Sequence, residues 1–497
     1  MEEAKTSYRQ IVKTTTLFGG VQVIQILTSI IRGKLVAVLL GTAGMGINTL
    51  INSVITVIVQ FASLGLNFSA VRDISQANIS GDKDELNRTV KVFRHLMYYC
   101  AILGAVIIIG SSYWISEFTF GNNSYTWGFV WLSIVVVLNI LNSSNITVLQ
   151  GMQRLKDMAK ASLIGSVAGL IFSVPFYYFY GENGIIPALV VAALITFSVS
   201  QYFSSKLKFD VLALNRQDTF KQGSEMAKLG IAMMLSTLIG SAVTYLVNAY
   251  IGKYGSIAEV GLYGAGISIT NQYVSVIFTA MAVDYFPRLS AVCNDRKKVN
   301  EIVNQQAEIV VLIIAPLLII MILTAPILIK VLLSKEFLVI TGFVTWVAFA
   351  LLFKAASFAL GYISFAKGDK KTFFLFEGIT GSLLILICNI SGYKLGGLTG
   401  IAISILISYI IYLIAVNILA SRLYGFNLEK KFKYIFLISI LLLGSVFLIT
   451  MFFSNLFGYL AGSLVLAISL YYSYSELNKR IGIKAFILSK IKAKILS

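Results

Sequence analysis

Long uninterrupted apolar runs constrain this chain more than any other feature of it. A helix needs about 20 mostly apolar residues to cross the hydrocarbon core of a bilayer. Fourteen such stretches follow one another, starting near positions 12, 47, 95, 127, 161, 185, 229, 264, 309, 342, 373, 400, 434 and 457. Strands are excluded, because an open sheet edge in lipid leaves backbone groups unpaired and no alternating pattern of about ten residues announces a barrel. Only 12% of the 497 residues are charged and 57% are hydrophobic, about half the charge fraction of a soluble domain. The sequence therefore predicts an all-α polytopic membrane protein of about 14 transmembrane helices.

A net charge of +18 raises nucleic acid as a partner, but the basic residues fall in short clusters between apolar runs rather than along one face, so nucleic acid is set aside. Membrane orientation accounts for them. With the N-terminus inside, 33 of the 40 Lys and Arg residues lie in inside segments or the basic tail, the exceptions being Arg32, Lys34, Lys253, Lys330, Lys335, Lys354 and Lys394. Both termini are expected in the cytoplasm, and Trp114, Trp127, Tyr177, Tyr178 and Tyr180 cluster where outer helix ends meet headgroups. Residues 1–13 carry charges of both signs without a cleavage site, so they read as mature protein rather than a signal peptide. Membrane lipids are the expected surroundings, and the basic tail reads as a surface segment.

Catalysis finds little to work with. One histidine, His95, and three scattered cysteines, Cys100, Cys293 and Cys388, offer neither ligand spacing nor a disulfide framework. No phosphate-binding loop occurs, since Gly33-Lys34 precedes Leu35 and Gly252-Lys253 precedes Tyr254. No catalytic residue, metal or cofactor is expected, and the chain reads as no enzyme.

An internal repeat organises the chain. Gly33-Lys34, the Gly41 to Gly46 motif, Arg72 and the loop from Asp82 to Asn87 return as Gly252-Lys253, Gly261 to Gly266, Arg288 and Asp295 to Asn300, at offsets of 219, 220, 216 and 213. Two six-helix units of even helix number enter the membrane from the same side, so they are parallel repeats about an axis along the membrane normal. The implied organisation is a first lobe over 1–225, a second over 226–425, two extra transmembrane helices over 426–475, and a basic tail over 476–497.

The leading helices carry polar stripes. Gln22, Gln25, Ser29 and Arg32 share one face of the first, and Asn52, Thr56, Gln60, Ser63 and Asn67 one face of the second. Asn248 and Gln272 lie on the corresponding stripes of the second unit, where Ile251 stands in the place of Arg32. Hydrogen bonds across helix contacts are one destination for such stripes; a hydrated cavity between the two units is the other, and their symmetric placement favours it. A buried charge in a bilayer costs on the order of 3 kcal/mol, so Arg32, on its stripe, and Lys354, in mid-span, are the candidate substrate-binding cations. Gln22, Gln25, Asn52, Gln60, Asn248 and Gln272 are the candidate hydrogen-bonding groups. Asp284 and Glu377 fall nearer helix ends and read as structural or gate ion pairs. Arg72 with Asp73 and Arg288 with Asp284 are candidates for a cytoplasmic gate. Pro175, Pro316 and Pro326 interrupt the fifth and ninth spans, as kinks or moving parts.

Several motifs carry a family likeness. Leu40 to Gly46, Leu64-Gly65-Leu66-Asn67 with Ala70-Val71-Arg72-Asp73, and Gln150-Gly151-Met152-Gln153-Arg154 occur in that order, and the chain resembles the polysaccharide transporter family, including O-antigen flippases of the Wzx type. The resemblance runs over nearly the whole chain and is strongest before residue 160. It implies the multidrug/oligosaccharidyl-lipid/polysaccharide (MOP) exporter fold, V-shaped and MATE-like, with two lobes facing a central cavity in the bacterial inner membrane. The resemblance also implies a substrate, an undecaprenyl-diphosphate-linked oligosaccharide moved from the cytoplasmic to the periplasmic leaflet by alternating access, and a polysaccharide polymerase or chain-length machinery as a partner. Arg32 and Lys354 would then attract the pyrophosphate. Two other readings stand beside it: a cation or drug antiporter of the same fold, which calls for mid-span carboxylates, and a membrane polymerase or glycosyltransferase, which calls for a larger outer loop.

Overall fold

The computed structural model describes residues 2–207, 209, 216–453 and 456–481. Side chains are described from residue 24 onward, leaving out 216–222, single positions between 225 and 236, 276, 279–284, 370 and 481. Among the described residues there are helices and no strand. The first unit carries α1 (Glu2–Ala62), α2 (Leu66–Ser80), α3 (Lys83–Phe120), α4 (Thr126–Gly151), α5 (Leu155–Tyr180), α6 (Ile185–Ser205) and α7 (Arg216–Tyr254). Then come α8 (Ile257–Ala291), α9 (Arg296–Leu332), α10 (Thr341–Ala366), α11 (Lys370–Thr372), α12 (Gly381–Tyr424), α13 (Lys430–Phe452) and α14 (Leu456–Ile481). A π-helical stretch, Phe373–Thr380, joins α11 to α12.

Nine apolar helical stretches among the described residues are long enough to cross a membrane. Three of these, Ile24–Ala62, Leu155–Ser205 and Phe373–Tyr424, are 39, 51 and 52 residues long. At 1.5 Å per residue the two longest run about 77 Å, more than twice the roughly 30 Å hydrocarbon core, and a break inside each of the three lets it cross twice. The backbone breaks where a second crossing begins. Gly41 (φ 67°, ψ −161°) and Gly397 (φ 57°, ψ −140°) hold conformations that side chains resist, and a 3-10 turn, Gly181–Gly184, separates α5 from α6. Counting these as two crossings each, with α7 and α8 at 39 and 35 residues, gives the fourteen expected. Pro175 in α5 and Pro316 and Pro326 in α9 sit inside helices that continue through them.

Contacts divide the chain into one compact unit of residues 1–264 with 332–336, and a second of 265–331 with 337–497. In the first, α3 packs on α4, α4 and α5 on α6, and α1 on α5 and α7. The helix that opens the second sequence repeat, α7, also lies against α2 and α3. In the second unit α10 packs on α12 and α13, and α13 on α14, while α9 is buried along most of its length, as suits a helix apolar all round.

Residues matched by the repeat do matched work. Asp82 caps α3 by accepting the backbone N–H groups of Asp84 (2.9 Å) and Glu85 (3.1 Å). Asp295 caps α9 in the same way, through Lys297 (3.0 Å) and Lys298 (3.2 Å). The two glycine motifs go further and pack on each other. A side chain at Gly46 would put its Cβ 1.9 Å from the Ile257 carbonyl oxygen, and one at Gly261 would come 2.0 Å from that of Thr42. Glycine at both positions is what lets α1 and α8 approach backbone to backbone.

Candidate functional site

A charge at the middle of a long apolar helix sits in a cavity of its own unit. Lys354 lies midway along α10, about 18 Å from either end, and is half-buried. Its Nζ stands 5.8 Å from the ring centre of Phe278 and 5.6 Å from that of Tyr409, so aromatic faces meet the ammonium group. Among the described residues no carboxylate comes within ion-pair reach of it.

The cavity measures about 480 Å³ and lies among α10, the π-helical stretch and α12. Lys354, Ser357, Phe358, Gly361, Tyr362 and Phe365 line it from α10 at positions i, i+3, i+4, i+7, i+8 and i+11, one face of a helix. Opposite them stand Ser408, Tyr409 and Tyr412 of α12, with Glu377 from the π-helical stretch. Tyr412 donates its hydroxyl to Glu377 Oε1 in a short hydrogen bond. This corrects the expected role of Glu377: it pairs with no cation among the described residues and lines the same cavity as Lys354.

Arg32 occupies another setting, in the other unit. It is half-buried on α1 and interacts electrostatically with Tyr177, which is only 3% exposed, less than one turn from the end of α5. At that end Tyr178, Phe179 and Tyr180 are 64% exposed or more, as are Trp114 and Trp127 on neighbouring helix ends. These rings form the kind of aromatic belt found at a membrane interface, and Tyr177 alone of the expected cluster turns inward. Arg32 therefore lies near the belt, whereas Lys354 lies at mid-helix. Lys34 is exposed.

The amide groups divide. Asn52 is exposed and spends its donor on Asn48, at 2.8 Å to the carbonyl and 3.0 Å to Oδ1. Asn67 reaches α4, donating to Ser143 (3.4 Å) and accepting from Thr147 (3.3 Å), so the lower end of that stripe joins helices. Gln60 Oε1 and Asn248 Oδ1, by contrast, are buried without a hydrogen-bond partner among the described residues, a condition that costs roughly 1–3 kcal/mol for each group. Gln25 is half-buried, and Gln272 donates to Ser268 at 3.4 Å. The side chains of Gln22 and Asp284 lie outside the described residues. Of the gate candidates, Arg72 pairs with its neighbour Asp73 at 2.7 Å on the same helix, while Arg288 reaches Gln306 of α9 at 3.4 Å.

A polytopic helical bundle in which a cation without a carboxylate partner among the described residues shares one cavity with a carboxylate has the build of a transporter. The chain matches the family described as polysaccharide biosynthesis protein over residues 18–342, and it belongs to that family. It is 23% identical over 401 residues to the Lipid III flippase of Escherichia coli (strain K12), which takes in 78% of this chain and 93% of that one. The Lipid III flippase of Shigella flexneri matches equally. Among solved structures it resembles the Lipid II flippase MurJ in an inward closed conformation, with a TM-score of 0.71 and 16% identity, covering 93% of this chain and 99% of that one. An inward-facing multidrug resistance MATE family transporter of the MOP superfamily gives a TM-score of 0.70 and 15% identity, covering 81% and 94%. At such identities the likeness is one of fold.

Proposed function

We propose that this protein flips an undecaprenyl-diphosphate-linked oligosaccharide, an O-antigen or capsule-type repeat unit, from the cytoplasmic to the periplasmic leaflet of the bacterial inner membrane. The observation that carries this reading is Lys354, a mid-helix ammonium facing a cavity, with ring faces beside it and no carboxylate partner among the described residues. A cation kept in the bilayer without a counter-ion is expensive, and a diphosphate head group supplies the missing charge. Family membership and the Lipid III flippases among the relatives support the same substrate class. In this reading two six-helix lobes, 1–225 and 226–425, alternate in facing the two sides, as population shifts in transporters do. Arg32 adds positive charge near the outer belt, and the unpartnered acceptors of Gln60 and Asn248 receive hydrogen bonds from sugar hydroxyls. The flipped unit passes to a polymerase.

The test is direct. Purified full chain in proteoliposomes is given undecaprenyl-diphosphate-linked oligosaccharide, and the fraction of head groups open to an impermeant oxidant is followed in time. Protein-bearing vesicles should equilibrate the leaflets while protein-free vesicles do not, and Lys354→Ala and Arg32→Ala should each slow the exchange about tenfold or more, the equivalent of losing one charge-assisted contact. Unchanged rates in both variants would remove the cationic site. Transport of a lipophilic cation with no head-group exchange would instead establish an antiporter.

A further inference from the structure

The cavity of Lys354 holds more than a cation site. We propose that it is the subsite for the junction between diphosphate and glycan, with Lys354 taking the phosphate and the Glu377–Tyr412 pair taking the hydroxyl or amino donors of the first sugar. This rests on the flippase reading and names which part of the head group the second unit recognises.

Four features of one place converge on it. Glu377 sits on the π-helical stretch Phe373–Thr380, in which Thr380 returns its hydroxyl to the Leu375 carbonyl at 2.8 Å. Such stretches are rare, are less stable than α-helix, and gather at functional sites because they re-aim a side chain. Gly361 of α10 clears the space opposite: a Cβ there would stand 3.0 Å from Glu377 Oε1 and 3.2 Å from the Tyr412 hydroxyl. A glycine inside a helix is less stable than alanine, and here it admits a carboxylate and a phenol side by side. Tyr412 occupies Oε1 and leaves Oε2 without a hydrogen-bond partner among the described residues, so a ligand that brings donors finds an acceptor on the cavity wall.

The remaining walls are aromatic. Phe358, Tyr362, Phe365, Phe373 and Tyr409 surround the space, and the C–H groups of a sugar ring, weakly positive, pack on the negative faces of such rings. At about 480 Å³ the volume suits a small ligand, within the roughly 300–1,000 Å³ of such sites, and not a whole repeat unit. A carboxylate and an ammonium group that line one cavity without pairing to each other match a ligand carrying both an anion and a row of donors, and a glycosyl phosphate is that ligand. Glu377 also repels a sugar acid, so the first sugar is neutral or an amino sugar.

Binding to the detergent-purified full chain separates the possibilities. The probes are bare undecaprenyl diphosphate and undecaprenyl diphosphate bearing a single glucose, galactose or N-acetylglucosamine, with affinities measured by native mass spectrometry. Wild-type protein should bind at least one glycosylated probe about tenfold more tightly than the bare lipid. Glu377→Gln and Tyr412→Phe should each erode that preference, losing several-fold more affinity for the glycosylated probe than for the bare one, whereas Lys354→Gln should weaken all probes alike. Wild-type affinity that is equal for every probe, or variants of Glu377 and Tyr412 that lose both kinds of probe in the same proportion, would overturn the sugar subsite and leave the flippase reading standing. Failure of wild-type protein to bind any probe would overturn both.

Discussion

Gly46 and Gly261 show how one atom sets the distance between helices. Their hypothetical Cβ atoms would fall about 2 Å from carbonyl oxygens of the facing helix, which no rotamer change relieves because the obstacle is backbone. Gly46→Leu or Gly261→Leu should force α1 and α8 apart and cost about 1–3 kcal/mol or more, as overpacking does, read as a lower melting temperature and lower membrane yield. Gly33→Ala or Gly110→Ala, where a Cβ meets open space, should leave melting within the scatter of surface substitutions, about 0.5 kcal/mol. Similar losses at all four positions would show that glycine flexibility, not close approach, is what matters. The residues that line the Lys354 cavity teach the complementary lesson. The face Lys354, Ser357, Phe358, Gly361, Tyr362, Phe365 was open to reading from helical spacing alone, but a stripe of aromatics on an apolar helix looks the same whether it meets lipid, a neighbour or a cavity. The sequence reads Glu377 as an ion-pair member, because nothing in Phe373-Phe374-Leu375-Phe376-Glu377 signals the π-helical turn that sets it beside Tyr412.

Helix breaks were harder to read than helices. Hydropathy located the crossings, since burying apolar surface in lipid depends only on the amount of it, yet it gave no warning that α1 and α12 would each run through two crossings as a single bent element around Gly41 and Gly397. The caps were legible in principle: Asp82 and Asp295 precede helices in both repeats and hold them by the same pair of backbone bonds. Asp82→Ala should cost about 1 kcal/mol of stability. Asp295 adds a pH signature. The backbone N–H of Lys298, foremost, and that of Lys297 hold its carboxyl below the ordinary aspartate value, so its stabilisation is complete above the unfolded value near 3.9 and is lost as pH falls through the lower folded one. The melting difference between wild type and Asp295→Ala should therefore be full at neutral pH and close under acid; a difference that persists unchanged in acid would mean the charge plays no part in the cap. A third fastening ties the last helix. Arg480 of α14 donates its Nε to Glu308 of α9 at 2.6 Å and its Nη1 to Glu476 at 2.5 Å, with Glu308 7% exposed. Arg480→Ala strands that carboxylate and should cost about 1–3 kcal/mol, read as a lower melting temperature.

Orientation belongs to the chain as a whole, because no single loop decides it. The bias of 33 basic residues to 7 predicts that both termini lie in the cytoplasm, and the structure turns that bias into a demand on specific positions. Helix α3 runs 38 residues without a break, about 57 Å, so the turn before Lys83 and the loop after Phe120 must open on opposite faces of the bilayer. The loop after Phe120 adjoins the exposed rings of Trp114 and Trp127, and the turn before Lys83 adjoins a cluster holding Arg72, Arg88, Lys91 and Arg94. Single cysteines at Lys83, Lys297, Asn123 and Glu182, in a background lacking Cys100, Cys293 and Cys388, resolve the matter with an impermeant maleimide. Asn123 and Glu182 should label in right-side-out vesicles, and Lys83 and Lys297 only in inverted ones. The reverse pattern would place the termini outside and make the outward movement of the head group run the wrong way. Labelling of Lys83 and Asn123 from the same side would be graver, because α3 would then not cross the membrane at all, and the fourteen-helix count, the parallel repeat and the mid-membrane position of Lys354 would all lose their footing together.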